Sequence, residues 1–312
     1  MMTQRPAHVS EQAAPASAPP LGQFYEVGGR RLWLHRSGRG GPAVVFLPGA
    51  SAVGLDYLNI GDQAAELTTS VLYDRGGTGW SDPAELPRTA AEVATELRDL
   101  LDAADVPGPY LFAAHSLGGA YARRFAQLFP AEVAGVLYLD AFYEATDAYM
   151  PEGLHLARLR QPDPGPLQLR LMRPFMRRMY RRMFSSWPEP IRQQLIDRHL
   201  SSEWWQAGVR ERSNLAELAD ELSRGGDLPD VPLIALTPLG IDPGMRLLMS
   251  GKALREMTDG KRRLYAALAD SVTHGEHRVL DDARHSTITT DHPEAVVRAI
   301  HDLLDEVRAE NE

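Results

Sequence analysis

Five short apolar runs, each broken off by glycine, proline or a polar residue, constrain this chain more than anything else in it. They are "AVVFL" before Pro48-Gly49, "SVLY" before Asp74, "YLFAA" before His115, "VAGVLYL" before Asp140, and later "VPLIALTP". The run from Ala43 to Leu47, apolar at every position rather than at alternate ones, suits a strand covered on both faces, as in a parallel sheet. Helical patterns lie between the runs. "TAAEVATELRDLLDAADVPG" sets Val93, Leu97, Leu100, Leu101 and Ala104 on one face, with Thr89 as the expected cap and Gly108 as the expected stop. Parallel neighbours need crossover connections, so the alternation predicts an α/β sheet with helices on both faces.

The remaining segments are placed around that core. "QFYEVGGRRLWLHRSG" reads as a β-hairpin turning at Gly28-Gly29. Between about Ala141 and Pro229 the alternation stops; "LQLRLMRPFMRRMYRRMF" and "IRQQLIDRHLSSEWWQAG" are helical in pattern and predict an inserted helical cap over 141–229. Core character returns with "LREMTDGKRRLYAALADSV" as a helix, "EHRVLDDARH" as a strand and "HPEAVVRAIHDLLDEVRAE" as the last helix. The core is therefore expected over 23–140 and 230–312. Residues 1–22, rich in Ala, Pro, Ser and Gln, read as a flexible tail without the apolar stretch of a secretory signal.

Composition narrows the function classes. With 44% hydrophobic and 24% charged residues among 312, the chain fits a soluble globular protein, and no stretch has the ~20 apolar residues of a membrane span. A net charge of −9 disfavours sequence-independent binding to nucleic acid. Zero cysteines exclude disulfides and thiolate chemistry and are compatible with the cytoplasm, the expected location.

Parallel sheets bind ligands beyond the carboxyl ends of their strands, which directs attention to the loops after each run. Ser116 follows "YLFAA", has Ala114 two residues before it and Gly118 two after, and opens the helical pattern "LGGAYARRFAQLF". No other serine in the chain has Gly or Ala at both positions. Small residues there fit a sharp strand-to-helix turn that presents a nucleophilic serine, whereas a serine before a helix also serves as an N-cap. A serine hydroxyl becomes a nucleophile only when an imidazole takes its proton, and that imidazole needs a carboxylate to hold its tautomer.

Four segments, in order, resemble the α/β-hydrolase superfamily: "FLPGA", "YDRGGTGWSDP", "AHSLGG" and "DARHSTITTDHPEAVV". The resemblance runs from about residue 23 to residue 308 and implies a mostly parallel central sheet of about eight strands flanked by helices, with the cap inserted after the sixth strand. It further implies Ser116 as nucleophile and His285 as general base. Two aspartates obey the order Ser, Asp, His: Asp140, directly at a strand end, and Asp242, in "TPLGIDPG". Asp140 is preferred because a strand end fixes its side chain more firmly than a Gly- and Pro-flanked loop. The implied oxyanion donors are the N–H groups of Leu117 and Ala50; Pro48 stands where the family often has histidine, which removes no donor.

The other polar residues are given structural readings. Asp74 and Arg75 are expected to order their loop, and His115 sits inside the turn beside the nucleophile. His274 and His277 form H-x-x-H without a third ligand nearby, which argues against metal. Met172, Met176, Met179 and Met183 are expected to pack the cap core, with a flexible face over the active site for an apolar substrate as the second reading, and Arg173, Arg177, Arg178, Arg181 and Arg182 to form a solvated face, with contact to an anionic substrate or a membrane surface second. Trp204 and Trp205 line the pocket or pack the cap. The expected activity is hydrolysis of a small apolar ester, lactone or thioester through an acyl-enzyme, without cofactor or metal. The alternatives are a non-catalytic small-molecule-binding protein, or a carbon-carbon hydrolase, aminopeptidase or cofactor-free haloperoxidase on the same fold.

Overall fold

The computed structural model describes residues 18–159 and 165–309. Residues 1–17 of the expected tail, and 160–164 of the expected cap, lie outside the described residues. Residues 18–22 run alongside the sheet, where the Leu21 carbonyl accepts a 2.7 Å hydrogen bond from the buried indole of Trp33.

Eight strands form one sheet: β1 (Gln23–Val27), β2 (Arg30–Ser37), β3 (Ala43–Leu47), β4 (Ser70–Tyr73), β5 (Tyr110–His115), β6 (Val133–Leu139), β7 (Leu233–Gly240) and β8 (Gly275–Arg284). Their order is β1-β2-β4-β3-β5-β6-β7-β8; β2 is antiparallel to both its neighbours and the remaining pairs are parallel. The hairpin between β1 and β2 turns at Gly28 and Gly29, with φ of 56° and 77°, the left-handed pair that a two-residue turn matched to strand twist requires.

Every residue of β3 and β6 is buried. The reason is that both faces are covered: Val45, Leu47, Phe112 and Ala114 point into one apolar layer, and Val44, Phe46, Leu111 and Ala113 into the other. Helices Ala90–Ala103, Gly118–Leu128 and Gly251–Ala269 close the first layer. Helices Leu58–Ala65 and Pro293–Ala309 close the second, the latter through Val296, Ile300 and Leu303. Between β6 and β7 lie helices Pro166–Met183, Glu189–His199, Ser202–Glu211 and Leu215–Arg224.

The helix of "TAAEVATELRDLLDAADVPG" begins where expected. The Thr89 hydroxyl accepts from Glu92 N–H, and the Glu92 carboxylate accepts from Thr89 N–H, a reciprocal cap. It ends earlier than Gly108. Asp105 takes the left-handed conformation, φ 48°, while Asp105 N bonds Asp102 O and Val106 N bonds Leu101 O. That pair of bonds closes a helix around a left-handed residue and lets the next apolar side chain, here buried Val106, fold back on the last turn.

Candidate active site

Strand register brings the loops together. Leu47 pairs with Ala114, and Ala114 and His115 pair with Tyr138 and Leu139. The residues that follow these strands, Pro48 to Ser51, Ser116 and Asp140, therefore stand side by side, with neighbouring strands about 4.8 Å apart. β8 delivers His285 from two strands beyond β6.

Ser116 has φ 51° and Asp140 φ 45°, both in the left-handed region that non-glycine residues avoid at a cost of about 1–2 kcal/mol. Neighbours hold them there: Ser116 N bonds Leu139 O, Ser116 O accepts from Phe142 N at 2.6 Å, and Asp140 N bonds Leu236 O. The helix after Ser116 starts at Gly118, with Leu117 rather than Ser116 in the cap position. A Cβ on Gly118 would stand 2.2 Å from Leu47 O, which explains glycine there. Ala114 is fully buried in the same turn, and its methyl leaves Ser116 in the strained conformation.

His285 Nδ1 lies 2.7 Å from Asp140 Oδ2. The aspartate side chain is 6% exposed and the histidine 40%, so the acid is shut away while the imidazole opens to the cavity. Lys261 adds an unexpected partner: Nζ donates to Asp140 Oδ2 at 2.6 Å and to Pro238 O at 2.8 Å. Burial opposes charge on Asp140, but the Lys261 ammonium and the His285 hydrogen bond outweigh it and hold the carboxyl well below the usual carboxylate range. Asp242 is engaged elsewhere, accepting from the Ser286 hydroxyl.

Ser116, Leu117, Ala50, Asp140 and His285 line one cavity of about 340 Å³, whose other walls include Leu154, Leu156, Met245 and Met257. Ser116, Ala50 and His285 also border a second cavity of about 330 Å³, walled by Tyr180, Met183, Phe184 and Arg212. Ser116 thus sits between an apolar and an aromatic, more polar chamber.

The loop carrying Ala50 is fastened from beneath. Arg75 donates to Pro48 O and Gly49 O, both at 2.8 Å, and through Nε to Glu211 Oε1 at 2.7 Å. Glu211 Oε2 in turn accepts from Ser51 N. Asp74 binds Gly54 N and Trp80 N. Asp74 thus orders its own loop through Trp80, as expected, whereas the Arg75 side chain fastens the loop after β3.

His115 links that loop to His285. Gly49 N donates to the Tyr57 hydroxyl at 3.2 Å, the hydroxyl lies 2.8 Å from His115 Nδ1, and His115 Nε2 lies 3.1 Å from the His285 carbonyl. A carbonyl only accepts, so Nε2 carries the proton and Nδ1 accepts from tyrosine. Burial and the adjacent His285 push His115 down to about 3. The unfolded chain therefore binds more protons below the ordinary value of 6.5. The resulting stability is full above that pH and drains away as pH falls toward 3. In urea titrations at pH 7 and pH 5, His115→Gln should lose less stability than wild type on acidification, by on the order of 1–2 kcal/mol.

The other sequence candidates are spread from the rim of the site to distant surfaces. His274 Nδ1 pairs with Glu306 and His277 Nε2 with the Thr237 hydroxyl, and no cluster among the described residues could hold a metal. Trp204 is buried, donating to Ser51 O, whereas Trp205 lines a separate hollow with Leu169 and Met176. The four methionines divide. Met176 is buried and Met183 faces the second cavity, while Met172 and Met179 are exposed, contrary to a shared packing role, because the helix packs through the face carrying Met176 and Tyr180. Lys261, Tyr57 and Glu211 were not singled out by sequence. Lys261 had a signal, a lysine among Met257, Leu264, Tyr265 and Leu268 on an apolar helical face.

The alpha/beta hydrolase family model matches residues 44–299. The chain belongs to the alpha/beta hydrolase family. Among curated proteins, it is similar to the uncharacterised Bacillus subtilis protein YqjL, 32% identical over 133 residues, which is 41% of this chain and 51% of YqjL. The chain thus spans about half the length of that relative. Among solved structures it is similar to Cfl2 from Burkholderia cenocepacia, with TM-score 0.67 and 21% identity over 90% of this chain and 94% of that one. A thermophilic esterase from Thermogutta terrifontis gives TM-score 0.62 and 19% identity, covering 92% of this chain and 98% of the other. Likeness at this identity is a likeness of fold.

Proposed function

We propose that this alpha/beta hydrolase is a serine hydrolase acting on a small, largely apolar ester, lactone or thioester. The observation that carries the reading is the shared cavity, where strained Ser116 and a half-buried His285, hydrogen-bonded to buried Asp140, line the same space. Ser116 Oγ attacks the acyl carbon while His285 Nε2 takes its proton, Asp140 stabilising the imidazolium. The oxyanion forms against the N–H groups of Ala50 and Leu117. Collapse expels the alcohol or thiol, which leaves with the proton from His285. Water, deprotonated by the same imidazole, then releases the acid and restores the serine. The helices between β6 and β7 serve in this reading as a cap over 141–229, contributing Leu154, Leu156 and Arg212 to the apolar cavity.

The test is to incubate the protein with a fluorophosphonate probe and to assay p-nitrophenyl esters of increasing acyl length, lactones and thioesters. Covalent labelling with turnover that favours apolar acyl groups supports the reading. A protein that neither labels nor turns over any of these substrates is a binding protein on the same fold instead.

A further inference from the structure

The helix Pro166–Met183 has two apolar faces. One packs inward through buried Met176 and through Tyr180 and Met183, which also border the cavity beside Ser116. The other is a ridge at every fourth position, Leu167, Leu171, Phe175 and Met179, exposed by 71%, 74%, 69% and 40%. At 1.5 Å per residue the ridge extends for about 18 Å. Exposed side chains of this size in a row are unlike the scattered surface leucines of ordinary proteins and mark a contact site.

The charge on the helix says what kind of contact. It carries six arginines and no acidic residue, in a chain whose net charge is −9. We propose that this outer face docks the protein on an anionic lipid surface, with the ridge entering the headgroup region and the arginines other than Arg177, which pairs with Asp197, meeting lipid phosphates. Arginine beside leucine and phenylalanine on one helix is the composition of segments that lie in the membrane interface. The helix lies on the bilayer rather than crossing it, since no described helix is long and apolar enough to span a membrane. A second copy of this chain is the poorer occupant, because the ridge is interrupted toward its carboxyl end by Arg178 and Arg182, which would meet their own symmetry mates or neighbours of like sign. Docking also places the helix that supplies Tyr180 and Met183 against the phase from which an apolar substrate would come.

Cosedimentation of the full chain with vesicles tests this without reference to catalysis. The protein should bind mixed phosphatidylglycerol and phosphatidylcholine vesicles, bind pure phosphatidylcholine far less, and come off the mixed vesicles in high salt. Leu171→Ser with Phe175→Ser should weaken binding at least roughly tenfold through lost apolar contact. Arg178→Gln with Arg182→Gln should weaken it roughly thirty-fold and flatten the salt dependence. Failure of wild type to bind the mixed vesicles, or unchanged binding of both variants, overturns the proposal. So does a lipid-free dimer, seen by sedimentation velocity, that Leu171→Ser with Phe175→Ser converts to monomer, since the ridge would then be covered by another copy.

Discussion

Ser116→Ala should abolish fluorophosphonate labelling and lower kcat by about 10⁶-fold, the scale on which removing a triad nucleophile acts. Its fold should survive, because alanine keeps the Cβ that the turn already tolerates at φ 51°. Ser116→Gly gives a second readout on the same atom. Glycine adopts a left-handed backbone without strain, so this variant should be inactive yet more stable than wild type by about 1 kcal/mol. A serine used only for structure would show neither a dead enzyme nor that opposition between stability and activity. Full turnover by Ser116→Ala would remove Ser116 from the mechanism.

Asp140→Asn should lower kcat by about 10⁴-fold while leaving KM nearly unchanged, because an amide can no longer hold the tautomer of His285 or offset its positive charge. Its oxygen can still accept from Lys261, so the ammonium keeps a partner and thermal unfolding should report a folded protein. Asp242→Asn should change kcat only a few-fold, since Asp242 accepts from Ser286 rather than from His285. A large loss at Asp242 alone, in steady-state assays of the two purified variants, would reverse the assignment.

How much of this was legible in the sequence depended on whether a residue acts along the chain or across it. The strands announced themselves because burial on both faces leaves no polar position in "AVVFL" or "VAGVLYL". The reciprocal cap at Thr89 and Glu92 is likewise a local signal, as was the turn at Gly28-Gly29. The end of the same helix was misplaced because an aspartate, not a glycine, takes the left-handed position at residue 105. Asp140 was preferred from its place at a strand end alone; that its carboxylate meets His285 while Asp242 meets Ser286 depends on strand register, which no spacing contains. Glu211 was beyond reach: on a polar helical pattern it resembles any solvated glutamate, and only the fold brings it 136 residues back to Arg75.

That last contact makes the helical segment between β6 and β7 a poor candidate for exchange among relatives. Arg75 and Glu211 are 2% and 3% exposed in their side chains, and the carboxylate divides its two oxygens between the guanidinium and Ser51 N–H. A graft that replaced this segment without supplying an acid at the same point would strand a cation under the loop that carries Ala50. Removing one member of such a pair costs about 3–5 kcal/mol. This segment is therefore tied to a counter-ion, and a transplant of it would have to carry Glu211 and Arg75 together.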